Sequence, residues 1–277
     1  MRVEEAVERL WPGQRVDVEP LGGGITNHNF KVIAGGETLV LRIGGKDTEL
    51  LGIDRGHEHE AAALAAELGI GPEVVRFEGG VLVTRFVEGE VGKADPGVVG
   101  RLLGRLHSAR PIAGRFDSFR VVETYAATAA EHGVALPGAF EEAHELARAI
   151  EARRSAAPVL TCHNDLLAAN FIDDGNRVWI VDWEYAGMGD PFFDLGNFAV
   201  NNELDEEGER ALLAGYGSND AAALILMRFM SDFREAMWGV VQQAISELDF
   251  DFVAYTDEHF DRLMVTASEP RFREALA

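Results

Sequence analysis

The stretch LTCHNDLLAANFIDDGNRVWIVDWE, residues 160–184, decides the fold of this chain. A short strand-like run leads into a polar loop, and the loop leads into a predicted hairpin at 170–183 that turns over the residues 174–176. A loop and the end of the hairpin that follows it can face one cleft, so polar side chains from both parts can act together. We therefore expect the functional site to be built here.

Three oxygen-bearing side chains in this stretch favour phosphoryl transfer. The loop carries the pattern His163-x-Asp165-x-x-x-x-Asn170, and Asp182 ends the apolar strand that follows. Phosphoryl transfer needs a carboxylate that accepts or orients the proton of the acceptor hydroxyl, and hard oxygen ligands that hold Mg²⁺ against the phosphates. Asp165 suits the first role, and Asn170 and Asp182 suit the second. The alternative, that Asp165 and Asn170 only cap turns, is weakened by the position of Asp182.

Hydrophobic periodicity changes along the chain and predicts two domains. Runs of alternating polarity and two glycine-centred turns predict an antiparallel sheet in the first part, with one inserted helix at about 54–68. Farther along, apolar residues recur at helical spacing, interrupted by the strand and hairpin described above. The sequence thus predicts an α+β fold with a strand-rich domain at 1–88 and a mainly helical domain at 89–277.

A glycine-rich segment at 21–27, LGGGITN, lies between two predicted strands. Glycines let backbone N–H groups approach phosphate oxygens without a clash from Cβ. The segment lacks the GK[ST] ending of a Walker loop, and a simple turn is the alternative. The residues assigned to a phosphate contact are Gly22, Gly23, Gly24, Thr26 and Asn27.

The next strand, TLVLRI, offers a cation for the phosphates. Its arginine, Arg42, can contact phosphate oxygens with two N–H groups, although an exposed edge residue is the alternative. A carboxylate on the following helix is expected to hold the arginine in place. Glu58 is the first candidate for that carboxylate, and Glu60 is its rival.

The charge of the chain disfavours anionic partners. Among 277 residues, 47 acidic side chains oppose 25 basic ones, which gives a formal net charge of −22. Such a field repels nucleic acid and anionic membranes and attracts cations, although it can also serve solubility alone. We expect a small cationic partner, no nucleic acid and no membrane insertion; the oligomeric state is not predicted.

The location of the chain is predicted from its cysteine content and its N-terminal segment. The single cysteine, Cys162, excludes an internal disulfide and fits a reducing compartment. The first thirteen residues carry charges throughout and lack the apolar region of a signal peptide. We expect a cytoplasmic protein.

Together these motifs resemble the choline/ethanolamine kinase branch of the aminoglycoside phosphotransferase-like kinases. The resemblance spans most of the chain, through GGGITNHNF, LVLRIGG, TRFVEG, HNDLLAAN, DWEYA and REAMWGVVQQAISELDFDFVAY. HNDLLAAN followed by DWEYA is a specific pair of motifs for that branch. The resemblance implies a bilobal protein-kinase-like fold, ATP and Mg²⁺ as cofactors, and a hydroxyl acceptor.

The resemblance also implies a role for each matching residue. Asp165 corresponds to the catalytic base, and Asn170 and Asp182 correspond to the magnesium ligands. An arginine on this strand is also found in choline kinases, and the resemblance therefore assigns Arg42 and Glu58 to the phosphate clamp. The hinge beside the adenine base would contain Phe86 and Glu88.

The acceptor site is expected in the segment 234–255. Relatives in this family hold a trimethylammonium group against aromatic faces, and Trp238 and Tyr255 fall on matching positions. Glu235 stands where some members carry another tryptophan, which puts a full aromatic cage in doubt and favours a smaller primary ammonium. Glu184 is a further candidate contact. The alternative for Trp238 and Tyr255 is ordinary helical core.

Four other polar residues are expected to support the structure. Asp190 and Asp194 are predicted to cap turns or to brace the catalytic loop. His163 and His107 are interpreted as buried structural histidines.

The sequence therefore predicts an ATP- and Mg²⁺-dependent kinase for a small cationic amino alcohol of the choline or ethanolamine type. One alternative is an aminoglycoside or other small-metabolite phosphotransferase. Another is a pseudokinase that binds a nucleotide without turnover, against which the presence of Asp165, Asn170 and Asp182 argues.

Overall fold

The computed structural model describes residues 1–22, 27–46 and 48–277. Its internal contacts divide the chain into two compact units. The first unit consists of Met1–Gly92 and Ala169–Glu184, and the second consists of Lys93–Ala168 and Tyr185–Ala277. The division predicted between residues 88 and 89 differs in two respects. The first boundary lies between residues 92 and 93, and residues 169–184 belong with the N-terminal part.

Hydrogen bonds explain why this segment joins the first unit. Its strands β8 (Phe171–Asp173) and β9 (Val178–Ile180) form the predicted hairpin, and β8 also pairs with the short strand β6 (Glu90–Val91). In addition, the amide of Ile180 donates to the carbonyl of Ile70 at 2.7 Å. Strand β6 was not predicted, because two residues show no periodicity.

The five-stranded sheet of the first unit follows the predicted pattern. Its strands are β1 (Val16–Leu21), β2 (Asn27–Ala34), β3 (Glu37–Gly44), β4 (Val74–Glu78) and β5 (Val81–Arg85). They pair antiparallel in the order β1-β2-β3-β5-β4. Glycines with positive φ form the two turns, at Gly35-Gly36 and Gly79-Gly80, where residues with a side chain would be strained.

Alternation along β3 separates the core from the site. Leu39, Leu41 and Ile43 are buried in the core of the sheet, which helix α1 (Val3–Leu10) also covers. Because successive side chains of a strand point to opposite faces, Arg42 lies on the other face.

Helix α2 (Arg55–Glu67) lies between β3 and β4 in the chain, with Asp54 as its N-cap. The Asp54 carboxylate accepts from the amide of His57 at 2.9 Å, which satisfies one of the free N–H groups at the helix start. The predicted helix at 54–68 is confirmed, and its buried face includes Glu58.

The second unit is mainly helical, as predicted. Two short strands, β7 (Leu160–Cys162) and β10 (Gly187–Gly189), pair antiparallel. The helices are α3 (Pro96–His107), α4 (Ser118–Glu131), α5 (Phe140–Arg153), α6 (Pro191–Asn201), α7 (Glu206–Tyr216), α8 (Ala221–Ile245), α9 (Phe252–Ser268) and α10 (Pro270–Leu276). Helix α8 is buried over most of its length and packs against α4, α6 and α9. The predicted α+β fold, with an N-terminal antiparallel sheet and a helical C-terminal part, is confirmed.

Two glycines of α3 allow a matched test of helix packing. A Cβ on Gly100 would lie 2.2 Å from the carbonyl oxygen of Leu212 in α7, whereas a Cβ on Gly104 would meet its nearest atom, the carbonyl oxygen of Tyr216, at 3.7 Å. We expect Gly100→Ala to lower the free energy of unfolding by about 1–3 kcal/mol, because backbone atoms must move apart. Gly104→Ala should be neutral or raise it by up to about 1 kcal/mol through helix propensity. Urea unfolding of both variants measures the difference, and equal effects would contradict the close packing of α3 on α7.

Among the described residues, no helix is both long and apolar enough to span a membrane. Cys162 is a buried free thiol, and burial raises its pKa well above the usual value. The thiol is therefore protonated at neutral pH.

Candidate active site

A buried cluster of opposite charges lies on the first unit, around Arg42. The guanidinium Nη1 donates to Glu58 Oε1 at 2.9 Å and also to Asp182 Oδ1, while Nε donates to Asn29 Oδ1 at 3.1 Å. Burial by itself would lower the pKa of Arg42, but the carboxylates of Asp182 and Glu58 outweigh it and raise that pKa above its ordinary value. Arg42 is thus a permanent cation held by two acids.

Glu58 links this cluster to a second arginine. Glu58, the first of the two acids predicted to hold Arg42, is a partner of that arginine. The other carboxylate oxygen of Glu58 accepts from Arg55 Nη1 at 2.7 Å. Arg55 also reaches Glu184 Oε2 at 3.3 Å. Glu184, predicted as an acceptor contact, is therefore a buried member of the same network.

Asn170 and Asp182 are brought together in the first unit, as the metal-ligand prediction requires. The amide of Val181 donates to the carbonyl of Asn170 at 3.0 Å, so Asp182 follows directly after a residue bonded to Asn170. Asp182 has φ of 66°, a left-handed conformation that is uncommon outside glycine and marks functional sites. A carboxamide oxygen and a carboxylate are hard donors, and they fit Mg²⁺.

Both residues line a cavity of about 540 Å³ in the first unit. Apolar side chains form part of its wall, with polar groups concentrated around Arg42, a combination typical of ligand pockets. The predicted residues that line it are Gly22, Arg42, Glu58, Phe86, Glu88, Asn170 and Asp182. The apolar wall includes Val40, Leu82, Ile172 and Val181.

Part of the glycine-rich segment can be placed. Gly22 lines the cavity, and the Asn27 side-chain amide donates to Glu184 Oε2 at 2.8 Å. Asn27 is therefore tied to an acid of the same unit. The remaining residues predicted for this segment, Gly23, Gly24 and Thr26, lie outside the described residues.

Asp194 braces the loop that carries Asp165 in the second unit. Its carboxylate accepts from the amides of His163 and Asn164 at 2.8 and 2.7 Å and contacts His107 Nε2 at 3.0 Å. His163 and Asn164 are completely buried. The expectation that Asp194 braces the loop and that both histidines are structural agrees with these contacts, and Asp190 is the N-cap of α6.

Side-chain amides of α6 and its C-cap hold the next part of the loop. Asn197 Oδ1 accepts from the amide of Leu166, and Asn202 Nδ2 donates to the carbonyl of Leu166 at 3.1 Å. These bonds satisfy buried backbone groups that a loop otherwise leaves open. The backbone on either side of Asp165 is therefore fixed.

Three of the four predicted acceptor residues meet where α8 packs on α9. Trp238 is 6% exposed, and its Nε1 donates to the Tyr185 hydroxyl at 3.2 Å. The Tyr255 hydroxyl donates to Glu235 Oε2 at 3.0 Å, and the rings of Trp238 and Tyr255 lie 5.6 Å apart. Burial and the Glu235 carboxylate raise the pKa of Tyr255 well above its usual value. This packing agrees with the core alternative, and contact with an ammonium group stays a prediction.

Asp165 belongs to the second unit, whereas Asn170 and Asp182 belong to the first. Each part of the predicted site therefore lies within one unit. The convergence of all three side chains on one substrate stays a prediction.

A family model described as a phosphotransferase enzyme family matches residues 17–229, more than half of the chain. The chain belongs to this phosphotransferase family. A solved choline/ethanolamine kinase family protein from Mesorhizobium loti is 31% identical, with a TM-score of 0.84, over 100% of this chain and 98% of that one. The predicted relation to choline and ethanolamine kinases is confirmed.

Two LicA proteins illustrate how far the similarity reaches. Choline kinase LicA from Streptococcus pneumoniae shares the fold, with a TM-score of 0.82 and 22% identity over 96% of this chain and 98% of that one. Protein LicA of Haemophilus influenzae is 28% identical over 214 residues, which are 70% of this chain and 61% of that protein. The match thus spans less than two thirds of the length of this curated relative.

Three residues of this phosphotransferase were not assigned a role from the sequence, although their contacts matter. Asn197 and Asn202 hold the loop, and Arg234 contacts Asp165, as described below. An asparagine or arginine inside a helical pattern is usually an exposed residue, so its sequence context carries no signal.

Proposed function

We propose that this phosphotransferase moves the γ-phosphoryl group of ATP, with Mg²⁺, to the hydroxyl of a small cationic amino alcohol of the choline or ethanolamine type. The observation that carries the proposal is the Arg42 guanidinium between Glu58 and Asp182, beside a cavity that Asn170 also lines. A fixed cation next to hard oxygen donors suits a metal-bound polyphosphate.

The cavity supports a nucleotide as the phosphate donor. Its volume of about 540 Å³ lies in the range of small-molecule pockets, and its apolar wall suits the flat face of a base. Phe86 and Glu88 would lie beside the base, with Gly22 and Arg42 toward the phosphates. A choice between ATP and GTP is not predicted.

Asn170 and Asp182 would hold Mg²⁺, since both residues line the same cavity and both carry hard oxygen donors. When bound, the ion would neutralise charge on the phosphate oxygens as the phosphoryl group moves. Arg42 would contact the phosphates and share its charge between them and Asp182. Asp165 would orient the acceptor hydroxyl and accept its proton, so catalysis depends mainly on positioning.

The acceptor is proposed from the charge of the chain and from the family. The net charge of −22 favours a cation, and the M. loti relative is described as a choline/ethanolamine kinase family protein. Glu235 and Tyr255 lie together at the segment assigned to the acceptor, where a carboxylate and an aromatic ring can both interact with an ammonium group. A cytoplasmic location is part of the proposal.

An acceptor panel tests this function. Purified protein, ATP and Mg²⁺ are incubated with choline, ethanolamine or several aminoglycosides, and the phosphorylated product is identified by mass spectrometry. We expect a phosphate ester of choline or ethanolamine, and its formation should stop when EDTA removes the metal. Phosphorylation of aminoglycosides alone would replace the proposed acceptor, and nucleotide binding without any product would indicate a pseudokinase.

A further inference from the structure

Arg234 is a buried cation in the middle of helix α8. It is 1% exposed and is the largest of the fully buried side chains in the described part of the chain. Burying a guanidinium is costly unless the group is paired and hydrogen-bonded. The groups around it therefore indicate what the arginine does.

One nitrogen of Arg234 contacts the side chain of the proposed base and the backbone of the residue before it. Nη2 donates to the carbonyl of Asn164, the residue just before Asp165, and to Asp165 Oδ1 at 3.3 Å. The two acceptors lie 70 and 69 residues away along the chain, so the contact depends on how α8 packs against the loop.

An acid and two aromatic rings also lie near the guanidinium. Nη1 lies 3.0 Å from Glu235 Oε1, and the guanidinium carbon lies 4.9 Å from the centre of the Tyr185 ring and 5.9 Å from that of Phe116. Burial by itself would lower the pKa of Arg234, but Glu235 and Asp165 raise it above its ordinary value. Arg234 is therefore a fixed cation with little freedom to move.

The peptide that Arg234 contacts has an unusual conformation. Asn164 has φ of 67°, in the left-handed region, and its side chain donates to the carbonyl of Tyr185 at 3.0 Å. Asparagine tolerates this conformation better than most residues, and bonds on both sides of the residue hold it there. Asp194 holds the amide side of Asn164, and Arg234 holds the carbonyl side.

We propose that Arg234 is a positioning residue for Asp165. Arg234 fixes the orientation of the Asp165 carboxylate and keeps that carboxylate negatively charged. The inference rests on the proposed function, in which Asp165 orients the acceptor hydroxyl. In a loose phosphoryl-transfer transition state, the base contributes chiefly by orientation, so a neighbouring cation does not defeat its role.

The charge of Arg234 has a consequence for pH dependence. An adjacent cation favours the ionised form of a carboxyl group and lowers its pKa, so loss of the cation raises that pKa. As the pH falls, a variant without this cation would therefore lose activity at a higher pH than the natural protein does. The titratable groups around Arg234 and Asp165 are His163, Asp194, Glu235, Tyr125, Tyr185 and Tyr255.

Three variants of the full chain test the proposal. Arg234→Met removes the charge and the donors, and Arg234→Lys keeps the charge but loses the planar fork. Arg228→Met is the matched control, because Arg228 is an arginine of the same helix that pairs with Glu209. For each variant, kcat and the pH profile of kcat/KM are measured with the acceptor that the panel identifies, together with the melting temperature and nucleotide affinity.

We expect Arg234→Met to lower kcat by about tenfold to hundredfold and to move the acid limb of the profile to higher pH. Arg234→Lys should lower kcat but leave the acid limb near that of the natural protein. Arg228→Met should lower the melting temperature and leave the acid limb unchanged.

Two results would overturn the role of Arg234. The first is an unchanged kcat and acid limb in Arg234→Met, with only its stability reduced. The second result matters if Arg234→Met does not fold. In that case, a kcat of Arg234→Lys within about twofold of that of the natural protein would contradict the proposal. Absence of turnover in the natural protein would contradict the proposed function itself, so the two failures are distinguishable.

Discussion

Asp165→Ala is expected to lower kcat by about 10²–10⁴-fold while the nucleotide still binds. A positioned general base contributes about this factor, and its loss affects the chemical step. The proposed nucleotide cavity is lined by residues of the first unit, whereas Asp165 belongs to the second. Turnover with the best acceptor and a separate titration with a nonhydrolysable ATP analogue measure the two effects.

An exposed acid of the same unit provides the control for this substitution. Asp261, on the exposed side of α9, should tolerate alanine with kcat within about twofold of the natural protein. Asp165→Asn keeps the shape of the side chain next to Arg234, so it separates loss of the base from loss of packing. Activity of Asp165→Asn close to that of the natural protein would exclude Asp165 as the base.

Asp182→Asn is expected to raise the Mg²⁺ concentration needed for half-maximal activity by about tenfold or more. Even partners of metal ligands contribute about 10–100-fold to metal affinity, so the loss of a carboxylate ligand should cost at least as much. Asparagine is suited to this test because it tolerates the left-handed conformation of residue 182, in which alanine would be strained. The Mg²⁺ dependence of the initial rate at saturating ATP measures the effect.

Asp173 supplies a matched control on the same hairpin. Its carboxylate accepts a hydrogen bond from the amide of Gly175 at 2.8 Å. The side-chain oxygen of an asparagine at this position can accept the same bond. Asp173→Asn should therefore leave the Mg²⁺ dependence unchanged. If Asp182→Asn and Asp173→Asn gave the same Mg²⁺ curve as the natural protein, Asp182 would not be a metal ligand.

Each unit places an arginine beside an acid that the proposed reaction uses. Arg42 pairs with Asp182 in the first unit, and Arg234 contacts Asp165 in the second. Both acids therefore have a cation beside them that favours their ionised form. Only Arg42 was recognised from the sequence, because it lies on a strand whose alternation and motif context are visible in a few neighbouring residues.

Local patterns predicted the parts of the fold that depend on neighbouring residues. The alternation of β3 places Arg42 on the face opposite the buried leucines, and the predicted helix at 54–68 begins at the N-cap Asp54. The pattern from His163 to Asn170, followed by Asp182, identified the candidate loop and metal ligands. These features arise from strand geometry, capping and short spacings, which act over one or two turns of chain.

The sequence by itself thus determined the kinase-like family, the division into a strand-rich and a mainly helical part, and which acids are candidates for chemistry. Only the tertiary structure decided that the hairpin at 169–184 joins the N-terminal unit, that Asn27 binds Glu184, and that Arg234 reaches Asp165. These contacts join residues far apart in the chain. Their energy depends on the burial and charge that packing creates. The sequence around a single arginine or asparagine does not show whether that residue is exposed or buried.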